Sequence, residues 1–130
     1  MQLTMTGEYA VRAMMHLASL QFGNIAQISD ISREWSIPEN FLRKISAQLA
    51  GAGLITSQRG VHGGIQLSRP SAAITLLEMI EAVEGEIYLS KCVMCGKSCV
   101  RDEWCAVHEL WAEAQAKMKE VLMSRSLAQL

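Results

Sequence analysis

The four cysteines of this chain all lie between positions 92 and 105. They are Cys92, Cys95, Cys99 and Cys105, and His108 follows shortly after the last of them. Soft thiolates with a nearby imidazole are suited to zinc or to an iron–sulfur cluster. Neither the two separated ligand pairs of a structural zinc site nor the successive Cys-x-x-Cys steps of a ferredoxin are present. The pattern therefore indicates a metal or redox site without fixing its type.

Basic side chains flank these cysteines at Lys91, Lys97 and Arg101. They would offset the negative charge of thiolates bound to a metal cluster. They are equally compatible with solvated loop cations around ordinary reduced thiols.

The length and composition limit what the chain can be. Its 130 residues fit one compact domain with an appended element, not a large two-domain enzyme. Glu8 and Arg12 interrupt the N-terminal apolar stretch, so we do not expect it to be a signal peptide. No run approaches the roughly 18 to 20 apolar residues of a membrane span. We therefore expect a cytoplasmic protein with no membrane partner, in which clustered cysteines favour metal or redox chemistry over structural disulfides.

Charge is unevenly distributed along the chain, although the formal net charge is only −1. The stretch from Asn40 to Leu77 contains no acidic residue. Its basic residues are Arg43, Lys44, Arg59 and Arg69. A polyanionic partner would be attracted first to this basic middle third, although a solvated face explains the charge equally well.

Hydrophobic periodicity and capping signals predict the elements that position these residues. An amphipathic helix over Thr6–Phe22 is followed by a short helix over Ile28–Trp35. A capping box of Ser36 and Glu39, with Pro38 in the first turn, predicts a third helix. That helix is expected to end at Gly51 or Gly53. The remaining elements are strands at Leu54–Ser57 and Ile65–Ser68, a helix begun by a Thr75/Glu78 capping box and ended by Gly85, and a C-terminal helix.

Three helices followed by a hairpin is the order of a winged helix-turn-helix, in which a recognition helix lies in the major groove of DNA. On the third helix, Leu42, Ile45 and Leu49 would face the core. The residues expected to face outward are Asn40, Arg43, Lys44 and Ala47. Arginine suits guanine edges and asparagine suits adenine, so this face carries base-reading chemistry.

The tip of the hairpin, which would be the wing, adds Arg59 and His62 to this face. Gly60, Gly63 and Gly64 would let its backbone approach a phosphate or enter a minor groove. An ordinary tight turn with an exposed arginine is the alternative. Because the tip follows a capped helix in the expected order, it favours a double-stranded DNA operator as partner.

The C-terminal helix carries an apolar stripe of about four turns. Its members are Val107, Leu110, Trp111, Ala114, Met118, Val121 and Leu122. Such a stripe could pack on its own domain, but a partner helix across a two-fold axis is the sharper interpretation and predicts a homodimer. The fold class is thus mainly α with a small β-hairpin wing. We divide it into a DNA-binding region at 1–85, a cysteine-rich loop at 86–105 and a dimerisation helix and tail at 106–130.

Several short motifs along the chain resemble those of a known protein family. The most specific is the wing sequence Arg59-Gly60-Val61-His62-Gly63-Gly64-Ile65-Gln66-Leu67. The others are Met1-Gln2-Leu3-Thr4 with Glu8-Tyr9-Ala10-Val11-Arg12-Ala13, Ile37-Pro38 before Phe41-Leu42, Gly53-Leu54-Ile55, and Ser126-Leu127-Ala128-Gln129-Leu130. With these motifs the chain resembles, over essentially its whole length, the IscR/NsrR-type family of bacterial winged-helix iron–sulfur transcription regulators. The resemblance implies a dimeric repressor or redox sensor rather than an enzyme.

The resemblance also implies cluster ligands. In cluster-binding members, three cysteines follow the fourth helix. The fourth ligand is a histidine after the last cysteine or an acidic residue near the start of the first helix. Cys99, Cys105 and His108 match the histidine-ligated type. Glu8 sits where the acidic ligand of the partner subunit would come.

The first ligand departs from this pattern. Six residues separate Cys92 from Cys99, where five are commoner, and Cys95 is an additional thiol that could bind instead. The implied cofactor is an iron–sulfur cluster of the 2Fe-2S or 4Fe-4S type. Its loss or oxidation would change how the dimer docks on a palindromic operator.

Two other classes of function compete with this interpretation. A winged-helix regulator could use its cysteines as a thiol/disulfide switch or hold zinc without any iron. A small iron–sulfur electron carrier would need no helix-turn-helix. An enzyme is not expected, because the sequence contains no recognisable nucleophile–base pair or phosphate loop.

Overall fold

The computed structural model describes residues 3–93, 101 and 104–130. Within these ranges, five α-helices and one antiparallel hairpin form a mainly α fold, which confirms the predicted fold class. The elements are α1 (Met5–Ser19), α2 (Ile28–Trp35), α3 (Glu39–Gly51), β1 (Ile55–Gln58), β2 (Gly64–Leu67), α4 (Leu76–Glu84) and α5 (Ala106–Met123). Short 3₁₀ turns lie at Ser71–Ala73, Lys91–Val93 and Leu127–Gln129.

The main core lies between α1, α2, α3, the hairpin and the C-terminal tail. The predicted inward residues of α3, Leu42, Ile45 and Leu49, are all buried in it. A fully buried aliphatic side chain of this size contributes about 1.5 to 3 kcal/mol to stability. Helical periodicity on α3 therefore fixes which of its faces remains outside.

The turn between α2 and α3 differs from the prediction. Ser36 does not cap α3; it ends α2 in the left-handed region, with φ of 54°. Pro38 occupies the N-cap position of α3 and makes no side-chain capping bond. Only a short turn joins the two helices, so one residue must reverse the backbone direction, and Ser36 does so. The predicted Ser36/Glu39 capping box is therefore wrong, although the helix begins where expected. The limits of α1 also differ, since it ends at Ser19 rather than Phe22.

The start of α1 is fastened to the end of α4. The Glu84 carboxylate accepts a hydrogen bond from the Thr4 backbone N–H at 2.8 Å and a second from the Thr4 hydroxyl. The Thr4 hydroxyl oxygen in turn accepts from the Gly7 N–H at 3.3 Å. A Cβ on Gly7 would lie 2.9 Å from Glu84 Oε1 and 2.7 Å from Leu3 Cδ1. Glycine at position 7 thus allows the two helix ends to touch.

The predicted capping box at the start of α4 is present. Thr75 Oγ1 accepts from the Glu78 N–H at 3.3 Å, and the Glu78 carboxylate accepts from the Thr75 N–H at 2.9 Å. Arg69 adds a 3.1 Å ion pair. Partial burial raises the pKa of Glu78, but the hydrogen bonds from Thr75 and Arg69 outweigh it and hold that pKa below the ordinary 4.5. Its stabilising effect is therefore present above pH 4.5 and is lost as the pH falls through the lower, folded-state value.

Helix α5 packs on the rest of the chain along only part of its length. Met118 and Leu122 pack against a second apolar cluster formed by Leu77, Ile80 and Ile87. Much of the remaining predicted stripe faces solvent in the single chain. Among the described residues, no helix combines the length and apolar character needed to cross a membrane.

The chain then returns to the main core beyond α5. Leu127 is 2% exposed and belongs to that core, and its N–H donates to the Ile74 carbonyl at 2.7 Å. A single β-bridge between Thr75 and Ser126 holds the same junction. The tail therefore closes the core that α1 and α3 begin.

Replacement of Leu127 by alanine should destabilise the protein by about 2 to 5 kcal/mol, because it leaves a cavity in a closed core. Leu130→Ala is the matched control, since Leu130 is 48% exposed only three positions away. Urea unfolding followed by circular dichroism measures both. Equal, small effects of the two substitutions would contradict a core role for Leu127.

Candidate functional site

A groove of about 570 Å³ lies between the N-terminal part of α3 and the hairpin. The structure brings four of the predicted DNA-contacting residues together on its walls: Arg43, Arg59, Gly63 and Gly64. Ala47 of the outward face of α3 also lines it. An open groove with arginines on both walls is suited to an anionic ligand.

The other three predicted residues are exposed but do not line this groove. Asn40 lies in the first turn of α3, and His62 lies at the hairpin tip. Lys44 lines a separate concavity of about 380 Å³ together with Phe41 and Glu84. The outward face of α3 is thus divided between two concavities.

Arg43 is paired with Glu39, a residue of the groove wall that the sequence analysis singled out only as a helix-capping residue. The distance from the Arg43 guanidinium to Glu39 Oε1 is 2.8 Å, and both side chains are largely exposed. An exposed ion pair of this kind contributes only about 0 to 1 kcal/mol. Arg43 can therefore exchange this partner for another acceptor at little cost. The i, i+4 spacing of Glu39 and Arg43 on a predicted helix could have indicated this ion pair from the sequence.

The hairpin is docked on the short segment that precedes α2. Ala26 and Ile65 exchange two backbone hydrogen bonds of 2.9 Å. Gln27 Nε2 also donates to the Val61 carbonyl at 3.3 Å, close to the tip. These contacts orient the tip relative to α3, which the sequence pattern alone could not indicate.

Gly64 is required by this docking, and Gly63 is required by the turn of the hairpin itself. A Cβ on Gly63 would lie 2.2 Å from the Gln58 carbonyl oxygen, and one on Gly64 would lie 2.2 Å from that of Ala26. Both obstacles are backbone atoms, which cannot move aside as a flexible side chain could. The sequence analysis expected these glycines to allow close approach of a ligand; within the chain, they allow close approach of its own backbone.

The four cysteines lie within residues 92–105, here called the cysteine segment. Those that the structure describes, Cys92 and Cys105, lie at its two ends. Cys92 is half-buried in the 3₁₀ turn Lys91–Val93, and its Sγ is 3.3 Å from Ser90 Oγ. Cys105 is half-buried at the N-cap of α5. The turn that carries Cys92 packs against α5. Cys95 and Cys99 lie outside the described residues.

His108 lies in the first turn of α5, where its N–H donates to the Cys105 carbonyl at 3.0 Å. Within residues 3–93, 101 and 104–130, no three His, Cys, Asp or Glu residues form a metal-binding group. The donors that frame the segment, two half-buried thiols and an imidazole, are nevertheless the ligand types that iron–sulfur clusters and zinc take. The chemistry of these donors therefore fits either group.

Glu8 lies on α1, apart from the cysteine segment in sequence. Its carboxylate is 3.7 Å from the Arg12 guanidinium. Both residues line an apolar groove of about 500 Å³ that α1 and α4 form with Met118 and Leu122 of α5. Glu8 is thus at the side of the molecule where α5 is incompletely covered.

Comparison with known proteins decides the class of this molecule. The sequence pattern of the Rrf2 family, described as an iron-dependent transcriptional regulator, matches residues 3–130. The chain belongs to the Rrf2 family. It is a DNA-binding transcription regulator with a winged helix, and its relatives are transcriptional regulators, not enzymes.

Individual relatives cover the chain almost completely. A protein of Azotobacter vinelandii classed with the HTH-type transcriptional regulators is 38% identical over the whole chain and 79% of its own length. The HTH-type transcriptional regulator IscR of Vibrio cholerae is 33% identical over the whole chain and 75% of its own length. Among solved structures, CymR, the global cysteine regulator of B. subtilis, aligns with a TM-score of 0.78 and 28% identity. That alignment covers 98% of this chain and 93% of CymR.

Proposed function

We propose that this Rrf2 regulator binds operator DNA as a homodimer and that an iron–sulfur cluster on its cysteine segment controls the binding. The observation that supports this most directly concerns α5. This one helix begins directly after Cys105, packs against the turn that carries Cys92, and leaves much of its apolar stripe uncovered. A change at the cysteines therefore acts on the helix expected to hold the dimer. In this scheme residues 1–85 bind DNA, 86–105 sense and 106–130 dimerise.

For the cluster, we propose Cys92, Cys99 and Cys105 as ligands. The fourth ligand is His108 of the same chain or Glu8 of a second copy, and Cys95 is the alternative to Cys92. A bound 2Fe-2S or 4Fe-4S cluster would supply redox chemistry and sensitivity to nitric oxide or to iron–sulfur status. The chain's own residues would hold it between the start of α5 and the turn at Lys91–Val93.

For DNA, we propose that α3 enters the major groove and that the wing contacts the adjacent backbone or minor groove. Arg43 and Asn40 would meet base edges, whereas Lys44, Arg59 and His62 would meet phosphates or the minor groove. Gly63 and Gly64 would keep the wing in its docked shape and would allow its backbone to approach the DNA closely. A two-fold dimer would then read a palindromic site.

The proposed dimer is supported by the apolar stripe of α5, much of which is uncovered in the single chain. Leu110 and Val121 are 62% and 68% exposed, although both are large and apolar. The stripe adjoins the apolar groove that Glu8 and Arg12 line. Contiguous apolar surface of this kind is typical of an interaction site, and a second copy of the same stripe is self-complementary.

A thiol switch or a zinc site without iron is the second candidate. The structural similarity to CymR, a cysteine regulator, favours it. Half-buried Cys92 and Cys105 would then act as free thiols in a disulfide switch, with Cys95 or Cys99 as the resolving partner.

Arg43→Ala should relax sequence preference, because the hydrogen-bonded contact of the arginine with a base edge is lost. The free energy of binding to the preferred site should become less favourable by on the order of 1 to 3 kcal/mol. Arg59→Ala should weaken binding to all sequences alike. The slope of log affinity against log salt concentration should fall in magnitude by about 1, because one phosphate contact is lost. Fluorescence anisotropy with matched and scrambled duplexes at several salt concentrations measures both. Lys117→Ala on α5 is the control, and its binding should equal wild type. Unchanged affinity of the Arg59 variant would remove the wing from the interface.

Val121→Glu should shift the protein towards monomer, because a carboxylate on the stripe would be desolvated in the interface. The site lies at the far end of α5 from Cys105, so cluster loss would not explain the result. Lys117→Glu is the control, since Lys117 is exposed and paired with Glu120. Sedimentation velocity over a range of concentrations distinguishes the two. Wild-type protein that remains monomeric at tens of micromolar would overturn the proposed dimer.

Anaerobic purification with iron and sulfide analysis tests the cluster itself. Coloured protein with iron and sulfide supports it; colourless, iron-free protein after reconstitution supports the thiol switch or zinc. Ala at Cys99 or Cys105 should abolish the cluster, because too few thiolates would remain. Cys92→Ala should lose colour and iron, whereas Cys95→Ala should keep both. The reverse result for the last pair would make Cys95 the first ligand.

A further inference from the structure

Gln115 on α5 spans the turn that carries Cys92. Its Oε1 accepts a hydrogen bond from the Leu89 N–H at 3.0 Å, and its Nε2 donates to the Val93 carbonyl at 3.3 Å. The two backbone groups lie on either side of Cys92 in sequence. One side chain therefore fastens both flanks of the cysteine to the same point on the helix.

Among the described residues the turn has further contacts, and one of them joins Cys92 Sγ to Ser90 Oγ at 3.3 Å. A hydrogen bond from the Val93 N–H to the Ser90 carbonyl at 3.1 Å closes it. One further side-chain link follows along α5, where Lys119 Nζ is 3.2 Å from Glu86 Oε1. The Val93 carbonyl lies at the end of the 3₁₀ turn, and Gln115 donates a hydrogen bond to it from α5.

We propose that Gln115 is a positioning residue for Cys92, which sets the place of its thiol relative to Cys105 and couples the turn to α5. This inference rests on the proposed function, in which Cys92 is a cluster ligand or switch thiol. Gln115 does not itself bind the cluster. Because its amide holds both Leu89 and Val93, the turn moves together with α5 while the two hydrogen bonds are intact.

The test measures the reactivity of individual thiols in cluster-free, fully reduced protein. Maleimide alkylation is followed over time and resolved by peptide mass spectrometry, so that Cys92 and Cys105 are read separately in each sample. Gln115→Ala removes both hydrogen bonds and keeps a strong helix former. Gln115→Glu keeps an acceptor for Leu89 but loses the donor to Val93. Glu113→Ala, two positions earlier on the exposed side of α5, is the matched control.

We expect Cys92 to react on the order of tenfold faster in Gln115→Ala, the effect of losing hydrogen bonds that hold a half-buried turn closed. Gln115→Glu should lie between this variant and wild type. The rate at Cys105 should stay within twofold in every variant, and Glu113→Ala should match wild type. An unchanged Cys92 rate would overturn the proposal. An equal increase at Cys92 and Cys105 would also overturn it, because general loosening of α5 is not positioning.

A second readout uses protein reconstituted with iron and sulfide under anaerobic conditions. Gln115→Ala should keep its iron content but change the visible circular dichroism of the cluster, because one ligand would be less constrained. If no variant and no wild-type protein takes up iron, the cluster proposal fails. The alkylation result would still decide the role of Gln115 in that case.

Discussion

The arrangement of the molecule depends on the contact between α1 and α4. Glu84 hydrogen-bonds to Thr4, and Gly7 leaves room for the carboxylate. This helix pair forms a wall with an apolar cluster on each side. Met79 of α4 points into the main core with α3 and the hairpin, whereas Leu77 and Ile80 join the cluster that α5 covers. The side with α3 and the hairpin and the side with α5 therefore pack on the same pair of helices.

On the side with α3 and the hairpin, backbone contacts fix the shape and side chains supply the charge. The hairpin is only two strands of four residues, which is marginal in isolation. Docking on Ala26 and the close approaches at Gly63 and Gly64 give it a defined place next to α3. The arginines are held loosely by comparison, since Arg43 has only an exposed partner. Such a frame with exchangeable cations is suited to binding an anionic partner, because the cations can exchange solvent and ion pairs for it.

Features determined by local sequence were predictable, and those determined by distant backbone were not. The three inward residues of α3 and the Thr75/Glu78 capping box follow from helical periodicity and from a four-residue pattern, and the structure confirms both. Ser36 was misassigned because the same residue type can begin one helix or end the previous one. The reason for Gly64 could not be read from the sequence, because the carbonyl that excludes a side chain belongs to Ala26. The Gln115 contacts likewise join α5 to residues more than twenty positions earlier, beyond any local pattern.

Leu127 has a consequence for how the chain is made. A nascent chain emerges from the ribosome in order, and α1 to α3 and the hairpin are complete long before position 127 has been added. Their core nevertheless lacks one of its buried side chains until the tail arrives. A partly synthesised chain thus has an open core that exposes apolar surface during translation. Folding of the winged-helix half is completed only after the cysteine segment and α5 have been synthesised, because Leu127 follows both of them in the chain.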